Sequence, residues 1–239
     1  MNTDLLTTVT ENAVFVLEFL GIVLAFFLVA YIFDKVAKKR SGDTERILST
    51  KAVVLIGMFA AVSTVLMLFE IPMPFAPSFY KLDFSELPAL IAGFAYGPVA
   101  GVMVEFVKIV LKTLVKGTST AFVGELANFV IGCSLVLPAA VIYRFKKTKK
   151  NAIIACAVGT AIITVIGPAF NAAYLLPAFS KLFGMPMEAI IGMGTAIFPF
   201  VTNVATLVIA CVAPLNLIKG ISVSILTMLI YKPLSRMFK

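Results

Sequence analysis

The chain has 239 residues, of which 61% are hydrophobic and only 13% charged, with a mean hydropathy of +1.05. Soluble domains run at about 25% charged residues, so this composition excludes a water-facing globule and identifies an integral membrane protein. The formal charge of +8 would suit nucleic acid or anionic lipid, but its distribution decides otherwise.

A bilayer crossing needs roughly 20 apolar residues. Residues 13–33 supply the first. The preceding MNTDLLTTVTEN carries Asp4 and Glu11 and no basic residue, so it lacks the basic start of a signal peptide. A basic cluster follows, Lys35, Lys38, Lys39, Arg40, Arg46 and Lys51. By the positive-inside rule that loop is cytoplasmic and the N-terminus outside. Further spans are expected at 52–69, within 84–115, at 124–142, at 151–176 and around 204–231. Two more basic clusters, Arg144 to Lys150 and Lys232 to Lys239, also belong in the cytoplasm, so an even number of crossings must separate each pair. That parity requires 84–115 to be two helices, 84–96 and 99–115, broken at Gly97-Pro98. Proline disfavours helix in the residue before it and removes a backbone donor. The first of the two is short and needs shielding by neighbours. The predicted fold is an all-α membrane protein. Residues 1–50 form an extra N-terminal helix with a basic cytoplasmic linker, and 51–239 form a six-helix bundle ending in the cytoplasm. The positive charge therefore reports topology, and no nucleic-acid partner is expected.

Ionisable groups inside a membrane are expensive and point to function by default. Glu18 has a simpler reading, snorkelling to the outer interface. Glu105 and Lys108 share a helix face and can pair with each other. The stretch FEIPMPFAPSFYKLDFSELP, 69–88, is stiffened by Pro72, Pro74 and Pro77 and loaded with Phe75, Phe79, Tyr80 and Phe84. It reads as an outer lid, with Lys81, Asp83 and Glu86 adding polar groups, or as a loop in the headgroup region. In VGELANF, Glu125 and Asn128 share a face. Gly167-Pro168-Ala169-Phe170-Asn171 places a kink and an amide in another helix, and Asn216 and Lys219 share a face just after Pro214. An Asn and a Lys together in an apolar span are costly unless something binds there, the alternative being a polar tie between Asn171 and Asn216. Convergence at the outer half of one bundle suggests a pocket for a flat, hydrogen-bond-rich ligand with aromatics to stack on it.

Absences narrow the reading further. There is no His, the commonest general base and metal ligand. Cys133, Cys156 and Cys211 sit singly in apolar runs and read as packed thiols; no metal site and no catalytic residues are expected. The chain has no phosphate-cradling G-x-x-x-x-G-K-[ST] loop, so a membrane binding protein of this kind needs a partner as its energy source. The helix at 52–69 offers one possible docking face, where Gly57, Ala60, Ala61 and Thr64 are small enough for close helix approach, though the same residues could pack within the bundle.

The stretches KLDFSELP, AYGPVAG, VGELANF and PLNLIKG resemble the riboflavin-binding S components of energy-coupling factor (ECF) transporters, from about residue 51 to the end. The resemblance implies a six-helix bundle holding riboflavin near its outer face, under the loop between its first two helices. It implies that Asn171, Asn216 and Lys219 bond the flavin ring. Lys81, Leu82, Asp83, Phe84, Glu125 and Asn128 would close over the ligand. It also implies docking through Gly57 and Ala61 onto a transmembrane scaffold carrying two ATPases, with ATP used by those partners and no cofactor held here. The first helix lies outside the resemblance. Residues 181–201 look like an insertion containing a short external helix beside the site. An S component for a thiamine- or pyridoxine-like ring, an intramembrane enzyme and a ligand-free scaffold are the competing readings.

Overall fold

The computed structural model describes residues 13–42 and 46–234. Asp4, Glu11, Arg236 and Lys239 lie outside the described residues. In chain order come α1 (Ala13–Ser41), α2 (Thr50–Leu68), β1 (Ile71–Pro72), β2 (Lys81–Leu82), α3 (Glu86–Tyr96), α4 (Pro98–Lys116), α5 (Val123–Phe145) and α6 (Lys149–Phe170). A π-helical turn (Asn171–Leu175) leads into α7 (Leu176–Phe183). After α8 (Met187–Thr195) and α9 (Val204–Leu207), a second π-helical turn (Val208–Val212) leads into α10 (Ala213–Leu234).

Among the described residues, five stretches are long and apolar enough to cross a membrane: Ala13–Arg40, Thr50–Leu68, Val123–Phe145, Lys149–Phe183 and Val204–Ile230. The remaining two bundle helices are the pair expected from parity. The 11 residues of α3 reach about 16 Å at 1.5 Å per residue, half a bilayer core. Neighbours shield it accordingly, and Pro88 through Phe94 are all buried. The 19-residue α4 carries Glu105 and Lys108 on its buried side, which lowers its hydropathy without exposing charge to lipid. Pro98 at its first turn loses nothing, because that N–H has no partner in a helix anyway.

Small residues allow the helices to close on one another. A Cβ on Gly93 would lie 2.9 Å from Ala140 Cβ, and one on Gly159 would lie 2.6 Å from the Leu135 carbonyl, the close approach that substitutes for a hydrophobic driving force in lipid. The central core gathers Ala60, Leu90, Phe94, Val104, Leu135 and Ile163 from five helices.

The first helix is packed against the bundle. Its Phe19 and Phe26 meet Phe129 edge-on at 6.1 and 5.5 Å, and Phe27 meets Phe106 at 6.0 Å. Glu18, expected to snorkel, is exposed and accepts a hydrogen bond from Tyr174. Further along, the fully buried Asp34 pairs with Arg144 at 3.0 Å. The same carboxylate would lie 2.7 Å from a Cβ on Gly97, whose φ of +104° already requires glycine. These contacts bring the Gly97 turn to the same end of the bundle as the first two basic clusters.

Candidate functional site

The opposite end is hollow. Residues 70–85, expected as a lid or a headgroup loop, form a short antiparallel ladder pairing Ile71 with Leu82 and Pro72 with Lys81. The tip folds inward, where Ala76 and Tyr80 are buried in a cluster with Leu176, Ile190, Leu207 and Val208. Prolines and aromatics in this segment thus cover the bundle. Ile190 belongs to α8, the external helix anticipated in the 181–201 stretch.

Beneath lie two spaces that share Phe79, Lys81, Gly124, Asn128 and Phe179 in their walls. The outer measures about 620 Å³ and the inner about 110 Å³. Phe79 and Phe179 meet edge-to-face at 6.0 Å and narrow the junction. The outer space carries a polar group of side chains on one wall. Buried Glu125 pairs with Lys112 at 3.2 Å and accepts from the hydroxyls of Thr118 at 3.0 Å and Thr120 at 2.9 Å. At the rim, Glu70 Oε1 receives Lys81 at 2.6 Å and Lys116 at 3.0 Å. Partial burial opposes ionisation of Glu70, but the two lysines outweigh it and hold its pKa below the usual glutamate range.

The inner space is walled by Ile131, Leu175, Val212 and Leu215 and carries Asn128, Asn171, Asn216 and Lys219. Both π-helical turns serve it. A π turn inserts one residue into a helix and re-aims the side chains beside it; one turn begins at Asn171 and the other ends four residues before Asn216. Each amide donates to the carbonyl four residues back, Asn171 to Gly167 at 2.8 Å and Asn216 to Val212 at 3.0 Å. The tie considered between the two asparagines is therefore not formed. Asn171 Oδ1 instead accepts from the Tyr80 hydroxyl at 2.9 Å, which clips the hairpin to α6. Asn216 Oδ1 is buried without a hydrogen-bond partner. Only glycine at 167 leaves room for this amide, since a Cβ there would lie 2.2 Å from Asn216 Nδ2.

Lys219 adds the second polar group, its Nζ 2.8 Å from Glu86 and 3.2 Å from Asp83. Glu86 also faces Lys108 at 3.2 Å. Lys108 meets Glu105 at 2.7 Å, a contact too poorly aligned to count as a hydrogen bond. The expected pair is thus one edge of a five-residue buried cluster. Burial opposes ionisation of Asp83, yet the Lys219 and Lys108 charges and the Ser85 hydrogen bonds hold its pKa down at about 2.

The sequence-derived site residues divide into three groups. Asn128, Asn171, Asn216, Lys219 and Lys81 line the inner space, and Glu125 lines only the outer one. Leu82, Asp83 and Phe84 line neither of these two spaces: Leu82 is buried, Phe84 packs against the central core, and Asp83 is turned to Lys219. On α2, Gly57 and Ala61 are exposed, and a Cβ on Gly57 would touch nothing within 4 Å. Ala60 and Thr64 are a correction to the docking face. They are buried, and Thr64 donates to the Ala60 carbonyl at 2.8 Å. The four positions i, i+3, i+4 and i+7 lie along one broad face of α2, and the packed bundle covers its Ala60–Thr64 edge while leaving the Gly57–Ala61 edge open. Sequence reasoning missed Tyr80 as a partner of Asn171 and Glu70 as the hub of the rim; nothing local in the sequence pairs positions 91 or 46 residues apart.

Residues 51–231 match the family "ECF transporter, substrate-specific component". The chain belongs to this family. S components are membrane transporter subunits that work with the other subunits of an ECF transporter, and are not enzymes. This S component is 32% identical over 185 residues to the riboflavin transporter FmnP of Bacillus subtilis, covering 77% of the chain and 92% of the relative. It is 33% identical over 189 residues to the riboflavin transporter RibU of Staphylococcus aureus, covering 79% and 93%. A solved structure described as the S component of a bacterial ECF transporter superposes with a TM-score of 0.62 at 34% identity, covering 80% of this chain and 98% of the other. The family match begins after α1, so the extra helix lies outside it.

Proposed function

We propose that this S component captures riboflavin at the outer face of the membrane and delivers it inward with a partner module. The observation that carries this reading is the edge formed by Asn216 and Lys219 on the wall of the inner space. It offers a free buried acceptor, Asn216 Oδ1, one helical turn from a cationic donor. The pyrimidine edge of an isoalloxazine ring presents the complementary donor and acceptors. Asn171 and Asn128 stand on the same walls, and Phe79 and Phe179 supply aromatic surface at the junction. The polyol chain fits the outer space, among Glu125, Thr118, Thr120 and Lys112. Lys81, Leu82, Asp83 and Phe84 act as the covering loop, with Leu82, Asp83 and Phe84 anchoring it rather than touching ligand.

Delivery uses a transmembrane scaffold and two ATPases, docked on the α2 surface that carries Gly57 and Ala61. The N-terminus is outside and the C-terminus cytoplasmic, following the basic clusters. The test is a titration of riboflavin into the purified protein, read by quenching of flavin fluorescence. Saturable quenching is expected. No saturation with riboflavin, alongside saturable binding of thiamine or pyridoxine, would overturn the assignment.

A further inference from the structure

We infer that Glu86 is a positioning residue for the ligand, holding the Lys219 ammonium so that one N–H is left for the inner space, while Lys108 holds Glu86 in turn. The inference rests on the reading of Lys219 as a ligand-contacting group. An ammonium has three N–H donors and no acceptor. On Lys219, one is given to Asp83 Oδ2 at 3.2 Å, and the ammonium is held 2.8 Å from Glu86 Oε1 as an ion pair. The side chain is 5% exposed and lines the inner space, so a donor not given to Asp83 is available there to a ligand.

Lys108 is arranged differently. Its Nζ faces Ser85 Oγ at 2.8 Å, Glu86 Oε1 at 3.2 Å and Glu105 Oε2 at 2.7 Å, and it lines neither the inner nor the outer space. Two of its donors are given to Ser85 and Glu86, and Glu105 adds an ion pair. One oxygen, Glu86 Oε1, therefore lies between two ammoniums, while Glu86 Oε2 has no hydrogen-bond partner. Sharing that oxygen prevents Glu86 from closing on Lys219 as a one-to-one pair that would draw the ammonium out of the cavity wall. The cluster is anchored from behind, because Ser63 of α2 donates to the Ser85 carbonyl at 2.8 Å.

Riboflavin titrations and thermal melts on the full-length protein test this. The variants are Glu86→Gln, Lys219→Met, Glu86→Gln with Lys219→Met, and Glu86→Gln with Lys108→Met. The last keeps the net charge of the cluster, so it restores stability if charge balance is what Glu86 supplies to the fold. We expect Glu86→Gln to weaken riboflavin binding by about tenfold or more, the scale of a charge-assisted contact. Lys108→Met added to it should recover the melting temperature but not the affinity. In the Lys219→Met background, Glu86→Gln should cost less than about threefold further, the mark of two residues acting through one contact. Affinity within about twofold of the parent, affinity recovered together with stability, or a full additive loss would each overturn the inference. Should Glu86→Gln alone fail to fold, the charge-balanced variant carries the comparison. A parent that binds no riboflavin would instead remove the ligand reading, and this inference with it.

Discussion

Two glutamates in this protein hold the same arrangement in opposite surroundings. Glu70 Oε1 is shared by Lys81 and Lys116, whose side chains are 39% and 52% exposed. Glu86 Oε1 is shared by Lys108 and Lys219, at 0% and 5%. At the rim, water competes for every charge and salt screens the rest, so each pair is worth about 0–1 kcal/mol. Inside, the ions have been removed from water at high cost, and deleting one partner strands the others, at about 3–5 kcal/mol. The contrast assigns the two hubs different work. The rim pairs cost little to break, whereas the buried cluster is a fixed frame on which Lys219 is mounted at the wall of the inner space.

The contrast can be broken first at the buried hub. Lys108→Met leaves Glu86 and Glu105 short of a cation and should lower unfolding stability in detergent by about 3–5 kcal/mol; a loss below about 1 kcal/mol would mean that water reaches the cluster. A smaller effect is expected at the closed end of the bundle. Gly97→Ala must adopt a φ of +104° and push against Asp34, which should cost about 1–3 kcal/mol in the same denaturation assay. An unchanged midpoint would show that α1 is not tied down there.

The smallest change belongs to the rim. The folded-state pKa of Glu70 is depressed, so its stabilisation is present above the ordinary carboxylate range and is lost as pH falls through the lower folded value. Glu70→Gln should therefore reduce stability by at most ~1 kcal/mol at neutral pH. The difference from the parent should fade as the melts are taken below about pH 4. A gap that persists in acid would show that Glu70 acts through packing and not through its charge.

Much of this frame was legible in the sequence. Three basic clusters and the Gly97-Pro98 break set the number of helices and the position of the α3–α4 turn, because lipid forces charge to the ends and proline forces a break. Asn171, Asn128, Asn216 and Lys219 were legible for the same reason: polar groups are conspicuous in an apolar span. What escaped was pairing across distance. The Glu105–Lys108 pair is visible at i, i+3, but its extension to Glu86, Asp83 and Lys219 depends on how three helices and a loop meet. Ala60 and Thr64 share the broad face of Gly57 and Ala61 by helical phase, and only the packing of α2 on the bundle decides which edge of that face is buried. The hydrophobic face of the hairpin was visible as a run of prolines and aromatics, yet its docking against α8 and the second π turn follows only from the packed fold.

The central claim is that the Asn216–Lys219 edge holds the ligand. Its most direct test is a riboflavin fluorescence-quenching titration of the parent protein beside Asn216→Ala, a change that removes the unpartnered acceptor without touching the ionic cluster. The account predicts saturable binding to the parent and affinity weaker by about 1–3 kcal/mol in the variant, with the melting temperature of the unliganded protein little changed. Equal affinity in the two proteins would contradict it and place the ligand elsewhere.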